Sequence, residues 1–100
     1  MFKRWYDKDA ALSLTVSLIQ NASMEERDEC AKYIIEESNK MGIFLEHGFW
    51  ENIKYQLKRW YDHEKLLFEA FEYLRIAPLN VRKEIITKVI DFLQNSKVSQ

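Results

Sequence analysis

Two copies of one pentapeptide decide the fold of this chain: Lys3-Arg4-Trp5-Tyr6-Asp7 and, 55 residues later, Lys58-Arg59-Trp60-Tyr61-Asp62. With that offset and no gap, residues 3–38 align with residues 58–93, and ten of these 36 pairs are identical. Unrelated sequences of ordinary composition share roughly two identities over such a length. The sequence therefore predicts an internal duplication, and a repeat of this kind outranks any local assignment of secondary structure.

The composition indicates a single α-helical domain. The chain has 100 residues, of which 47% are apolar and 14% aromatic, so it can bury a core. It has only two glycines and one proline, whereas hairpins and sheets need turn residues at short intervals. We expect one domain over 1–100, with internal repeats 3–38 and 58–93, a connecting segment 39–57 and a frayed tail 95–100.

The repeat resolves an ambiguity in the first copy. The segment from Leu12 to Leu18 alternates apolar and polar residues, which by itself predicts a half-buried strand. The aligned segment of the second copy, 66–74, places its apolar residues at helical spacing. Since duplicated segments should fold alike, we predict helices over 8–21 and 63–76. The buried stripe of the first helix would then contain Leu12, Thr15, Val16 and Ile19.

A second helix follows in each copy. Ser23 and Glu26 form a capping box at the start of a helix over 24–40, and Gly42 suits the left-handed residue after its end. In the second copy Pro78 suits the first position of a helix over 79–94. The expected buried stripes are Arg27 (through its stem), Cys30, Ala31, Ile34, Ile35 and Ser38 in one helix, and Val81, Ile85, Ile86, Val89, Ile90 and Leu93 in the other.

The pentapeptides lie where the first helix of each copy should begin. We predict that Asp7 and Asp62 cap these helices by accepting hydrogen bonds from the free N–H groups of the first turn. Tyr6 and Tyr61 would pack over the first turns as hydrophobic staples. In this interpretation the motif is a device that starts a helix, with tryptophan packed beneath it.

A fifth helix is predicted between the copies. Phe49, Ile53 and Leu57 recur every four residues, which indicates a connecting helix from about 48 to 58 with a kink or break at Tyr61-Asp62. The predicted fold is all-α: a five-helix bundle of two duplicated αα-hairpins joined by this helix. Two repeats are too few for an open solenoid, so the hairpins should close on each other, within one chain or between two.

Catalytic and metal-binding motifs are not found in the sequence. His47 and His63 are the two histidines, whereas a zinc or di-iron site needs three or four ligands at close spacing. Cys30 aligns with Ile85, which predicts a buried thiol and not a nucleophile. There is no glycine-rich phosphate loop and no nucleophile motif. We expect no enzymatic activity, no cofactor and no metal.

The remaining features predict a cytoplasmic protein. A single cysteine excludes a disulfide within the chain and suits a reducing compartment. No apolar run approaches the roughly 18 residues of a membrane span, and the N-terminus lacks the apolar core of a signal peptide. We therefore expect no membrane association.

Aromatic and arginine residues point to an interaction surface, because tryptophan, tyrosine and arginine dominate interface hot spots. Each pentapeptide brings all three together, and six aromatics fall between residues 44 and 61. We predict a protein–protein interaction module that forms a homodimer. Alternatively, the tryptophans simply fill the seam between the hairpins. The candidate interaction residues are Arg4, Trp5, Tyr6, Phe44, Phe49, Trp50, Arg59, Trp60 and Tyr61.

Nucleic-acid binding through the two pentapeptides is the alternative function. A basic residue beside an aromatic ring can hold a phosphate while the ring stacks on a base. Against this interpretation, the net charge is −1 and each pentapeptide itself ends in aspartate. We therefore expect a protein partner, and binding to nucleic acid is the less favoured prediction.

Overall fold

Four α-helices and two short 3-10 helices make up the described part of the chain, where no strand occurs. The computed structural model describes residues 5–46, 48–49 and 60–98. This confirms the all-α class, and the segment from Leu12 to Leu18 is helical as its aligned partner predicted. In chain order the elements are a first 3-10 helix (Trp5–Lys8), α1 (Ala10–Gln20), α2 (Met24–Lys40), a second 3-10 helix (Trp60–His63), α3 (Lys65–Ile76) and α4 (Leu79–Val98).

Corresponding elements begin 55 residues apart, which is the offset between the two sequence copies. The 3-10 helices begin at Trp5 and Trp60, α1 and α3 at residues 10 and 65, and α2 and α4 at residues 24 and 79. The connecting helix predicted over about 48 to 58 lies almost entirely outside the described residues. A break before α3 is present, because the backbone of Glu64 is extended, with φ −116° and ψ 98°.

The prediction that Asp7 caps α1 is wrong, because Asp9 occupies the N-cap. Its Oδ1 accepts from the backbone N–H groups of residues 11 and 12 at 2.9 and 3.4 Å. The first 3-10 helix incorporates Asp7 and extends to Lys8, so the first α-helical turn starts later than predicted. Tyr6 is consequently three residues before the cap, and not in the adjacent position that a hydrophobic staple requires.

The same shift occurs in the second copy. Asp62 lies in the second 3-10 helix, and Glu64 takes the N-cap position of α3. The prediction of a cap at Asp62 is therefore also wrong. Glu64 makes no side-chain hydrogen bond to the first turn of α3. Its carboxylate instead pairs with Arg27, so the two copies use this equivalent position differently.

Both predicted ends of α2 are confirmed. The Ser23 hydroxyl accepts from the Glu26 N–H at 3.1 Å, and the Glu26 carboxylate accepts from the Ser23 N–H at 3.0 Å. Gly42 has φ +82° and donates to the Asn39 carbonyl at 3.1 Å, while Ile43 donates to the Ser38 carbonyl at 2.9 Å. These bonds form a Schellman motif, whose left-handed residue favours glycine.

α4 begins at Leu79, as predicted, whereas the role of Pro78 and the end of the helix differ from the prediction. The Pro78 carbonyl accepts from the Arg82 N–H at 2.9 Å, so Pro78 stands at the N-cap, one residue before the predicted position. The helix runs on to Val98, beyond the predicted end at 94. Leu93 is the last buried residue of α4 among those whose side chains the structure describes. Fraying of the tail at 95–100 stays a prediction.

The core lies among the four α-helices. α2 packs most extensively against α3, and α1 packs against α4, while α2 and α4 also touch. The hairpins thus close on each other within one chain, and the predicted stripes supply the contacts. No described helix combines the length and apolar character that crossing a membrane requires. The core side chains from the four α-helices include Leu12, Val16, Ile19, Cys30, Ala31, Ile34, Leu67, Phe68, Ala70, Phe71, Tyr73, Leu74, Ile85, Ile86, Val89 and Leu93.

Candidate functional site

The tryptophan–tyrosine pairs of the two pentapeptides meet around one phenylalanine. Trp5 and Tyr6 contact edge-on with ring centroids 5.4 Å apart and an interplanar angle of 88°. Trp60 and Tyr61 repeat this geometry at 5.4 Å and 87°. Both tryptophans also contact Phe71, at 6.3 and 6.0 Å. The structure therefore brings the described aromatic residues of both motifs into one cluster.

A hydrogen bond joins the first pentapeptide to the second. Trp5 Nε1 donates to the Tyr61 hydroxyl at 2.9 Å. Tyr6 and Tyr61 are buried, with 4% and 1% of their surface exposed, and Trp5 and Trp60 are half-buried. Trp60 Nε1 is buried and finds no hydrogen-bond partner among the described residues. These rings line the seam between the hairpins.

Arg27 connects three parts of the fold. Its Nε donates to the Ile19 carbonyl at 3.1 Å, and Nη2 donates to the Gln20 carbonyl, at the end of α1. Its Nη1 pairs with Glu64 Oε2 at 2.7 Å, before the start of α3. The guanidinium carbon lies 5.5 Å from the centroid of the Trp60 ring, within cation–π range. One side chain thus lies beside the Trp60 ring and connects the end of α1 to the residue before α3.

Arg82 makes the equivalent bonds at the other hairpin corner. Its Nε donates to the Leu74 carbonyl at 2.9 Å, and its Nη2 donates to the Arg75 carbonyl at 3.0 Å. Last-turn carbonyls have no partner within their own helix, so an arginine fork can satisfy two of them. Sequence reasoning missed this role, although the identity of Arg27 and Arg82 in the two copies was a signal for it.

The segment that follows α2 carries one exposed aromatic ring, Phe44, and one half-buried ring, Phe49. Phe44 is 65% exposed, whereas Phe49 is half-buried with its ring 6.2 Å from that of Phe68. The other predicted interaction residues, Arg4, Trp50 and Arg59, lie outside the described residues. Sequence reasoning did not identify most of the large apolar side chains that the structure leaves exposed: Leu14, Met24, Ile76, Leu79 and Phe92, besides Phe44.

A crevice of about 330 Å³ opens between α2 and α4. Its lining residues are Glu29, Cys30, Tyr33, Lys88, Val89 and Phe92. The sequence analysis did not predict it. One signal was available: position 30 holds cysteine where the aligned position 85 holds isoleucine, so α2 has a smaller side chain on its buried stripe.

Burial raises the pKa of two side chains that line this crevice, Cys30 and Tyr33. It raises the pKa of the Cys30 thiol to about 12, and the carboxylates of Glu26 and Glu29 act in the same direction. Because the thiolate is the reactive form, this cysteine is not an activated nucleophile at neutral pH. Burial also raises the pKa of Tyr33, with Glu37 adding to the effect and Lys88 opposing it.

No metal site is found in the part of the chain that the structure describes. No group of three or more histidine, cysteine, aspartate or glutamate residues there is placed to hold an ion. His47 and the side chain of His63 fall outside what is described. The described side chains offer packing surfaces, a crevice between α2 and α4, and surface charge.

Comparison with known proteins gives no relative: no protein-family model matches the chain, and neither curated proteins nor solved structures contain a match.

Proposed function

We propose that this protein is a small helical protein–protein interaction module that also associates with itself. The exposure of large apolar side chains supports the proposal, and Phe44, at 65%, is the most exposed of them. Two more of these side chains flank the corner between α3 and α4, because Ile76 ends α3 and Leu79 begins α4. A large exposed apolar patch on a small protein is more often covered by a partner than left in contact with water.

A second copy of the chain is a suitable partner for such a surface. A two-fold axis lets the same patch serve both subunits, so one apolar surface is enough for a dimer. The net charge of −1 offers little long-range repulsion between copies. We place Trp50 and at least one of Phe44 and Phe49 at or beside the dimer interface, and Phe44 is the better placed of these two phenylalanines.

Light scattering of the full chain between about 1 and 100 µM tests self-association. We expect the mass of a dimer at the upper end, and a Phe44→Ser variant should shift the equilibrium toward the single chain. A Glu46→Gln variant is the control, because it changes an exposed neighbour without removing apolar surface. A mass of one chain throughout, with Trp50 fluorescence already blue-shifted and unaffected by dilution, would contradict the dimer.

Nucleic-acid binding has less support. Trp5 and Trp60 are half-buried and contact Phe71, and Arg27 lies over the Trp60 ring, so stacking on a base would compete with packing inside the protein. Retention on single-stranded DNA at about 150 mM salt, weakened by Arg4→Ala or Arg59→Ala, would favour this alternative. We expect no retention.

We also propose that the four α-helices are two copies of one hairpin and that a fifth helix over about 48 to 58 joins them. The support is the shared offset of 55 residues between element starts, together with the equivalent bonds of Arg27 and Arg82. Hydrogen exchange tests the fifth helix: slow exchange at residues 50–58 is expected, and rapid exchange there would contradict it.

We also propose that the protein is cytoplasmic, and cell fractionation tests this location.

A further inference from the structure

We propose that the crevice between α2 and α4 is the docking site for a basic, amphipathic helix of a partner protein. This inference rests on the proposed function and specifies where such a partner binds. It concerns a surface separate from the aromatic cluster around Phe71. The shape of the crevice, a buried hydroxyl inside it and the charge around it point to this class of partner.

The shape suits an apolar side chain. The walls are Cys30 from α2 with Val89 and Phe92 from α4, and Phe92 stays 40% exposed at the rim. A volume of about 330 Å³ is at the small end of the range for whole ligands. It is ample for one or two side chains of a docked helix. In this mode of recognition a helix lays its apolar face into a groove through anchors three or four residues apart.

Tyr33 supplies a polar contact inside the crevice. Its hydroxyl oxygen is buried and makes no well-formed hydrogen bond within the described residues, although the Lys88 ammonium is near enough to lower its pKa. A buried polar group without a partner costs free energy, and a partner segment that supplies a donor or acceptor removes this cost. A tyrosine phenol is protonated at neutral pH, so the Tyr33 hydroxyl can both donate and accept a hydrogen bond.

The charge around the crevice selects a basic partner. Glu29 and Lys88 are in the lining, and Glu26, Glu37 and Glu84 are close enough to act electrostatically on Cys30 or Tyr33. Four carboxylates thus stand against two ammonium groups, since Lys40 pairs with Glu37 at 3.0 Å. The Cys30 thiol, with a pKa of about 12, adds no charge at neutral pH. A helix whose apolar stripe is flanked by lysine or arginine complements this field, whereas an acidic helix is repelled.

A titration of the isotope-labelled full chain, followed by NMR, tests the proposal. The probe is a synthetic amphipathic helix of leucine and lysine about 15 residues long, and the matched probe carries glutamate at every lysine position. We expect the lysine peptide to shift the amide signals of Cys30, Tyr33, Val89 and Phe92. It should bind at least about tenfold more tightly than the glutamate peptide.

Two pairs of variants separate shape from charge. Cys30→Ile fills the crevice with the side chain of the aligned position 85, and Phe92→Ala removes its exposed wall. Each should weaken binding about tenfold, and Leu14→Ala, an exposed apolar residue of α1, should not. Combining Glu29→Gln with Glu84→Gln should weaken binding and reduce its salt dependence, in contrast to Glu46→Gln. If Cys30→Ile disturbs the fold, the Phe92→Ala result decides.

Several outcomes would overturn the docking site. They are signal changes that fall outside α2 and α4, equal affinity of the two peptides, unchanged affinity in Phe92→Ala, and no binding of the lysine peptide at about 1 mM. These failures are distinguishable from failure of the proposed function. A peptide that binds on another face leaves the interaction module standing, and self-association is measured separately by light scattering.

Discussion

Asp9 holds the start of α1 through hydrogen bonds from two backbone N–H groups. Replacing it with alanine leaves these groups without their acceptor, so Asp9→Ala should lower the free energy of unfolding by about 1 kcal/mol. Urea denaturation measures the change. Asp9→Asn is the matched control, because asparagine is an equally good cap and should retain most of the stability. Equal losses in the two variants would show that the carboxylate does not act as a cap.

Cys30 should be almost inert in the folded protein. Its pKa rises from 9.0 to about 12, which lowers the thiolate fraction near pH 8 by about a thousandfold. We expect reaction with an aromatic disulfide reagent to be at least that much slower than in the unfolded chain. The rate in about 6 M guanidinium chloride is the control, and similar rates in the two conditions would contradict the burial of the thiol.

The same thiol gives stability a pH dependence. The folded pKa is the higher one, so the contribution is complete below pH 9 and is lost as the pH rises from 9 toward 12. Unfolding free energies measured across this range should therefore fall. Cys30→Ala should show a smaller fall over the same range, although tyrosine and lysine titration will leave part of it. An identical fall in the variant would mean that the thiol is not involved.

At the scale of the elements, Arg27 and Arg82 provide a matched pair. Both bond the last-turn carbonyls of the preceding helix, and Arg27 also pairs with Glu64 and covers Trp60. Lysine is a point charge and cannot reproduce the planar fork. Arg27→Lys should therefore destabilise the fold by about 1 kcal/mol more than Arg82→Lys. Chemical denaturation of the two variants tests this difference, and equal losses would contradict it.

The ion pair between Arg27 and Glu64 can be isolated by a double-mutant cycle. Both side chains are partly buried, so the pair is less screened than one at the open surface. Combining Arg27→Met, which keeps the aliphatic stem and removes the charge, with Glu64→Gln should yield a coupling energy of about 1 kcal/mol. The coupling energy should fall as salt is added. Additive effects of the two substitutions would mean that the contact contributes nothing to stability.

The molecule as a whole should unfold in one step. α2 packs chiefly on α3 and α1 on α4, so neither hairpin can keep its buried face covered after the other unfolds. Far-UV circular dichroism and tryptophan fluorescence should therefore give coincident denaturation curves. Tyr61→Phe leaves Trp5 Nε1 without its acceptor. It should lower the free energy of unfolding by about 1 kcal/mol, by the same amount in both curves. Two separate transitions would contradict this packing.

Periodic signals made much of the fold predictable. Buried stripes in α1, α2 and α4 and both ends of α2 follow from short-range patterns that act within a few residues. The strand-like alternation in α1 was resolved only because the second copy has helical spacing. Asp9 was harder to identify, because the extent of the 3-10 helix before it depends on how the rings of Trp5 and Tyr6 pack.

The sequence by itself determined the helical class, the positions of the helices and the faces that they bury, because each depends on residues close together along the chain. Tertiary structure alone decided that Tyr6 and Tyr61 are buried, that Arg27 reaches Glu64, and that a crevice opens beside Cys30. Each of these depends on residues from different hairpins or helices. The distance between α2 and α4, for example, is set by the packing of all the side chains between them.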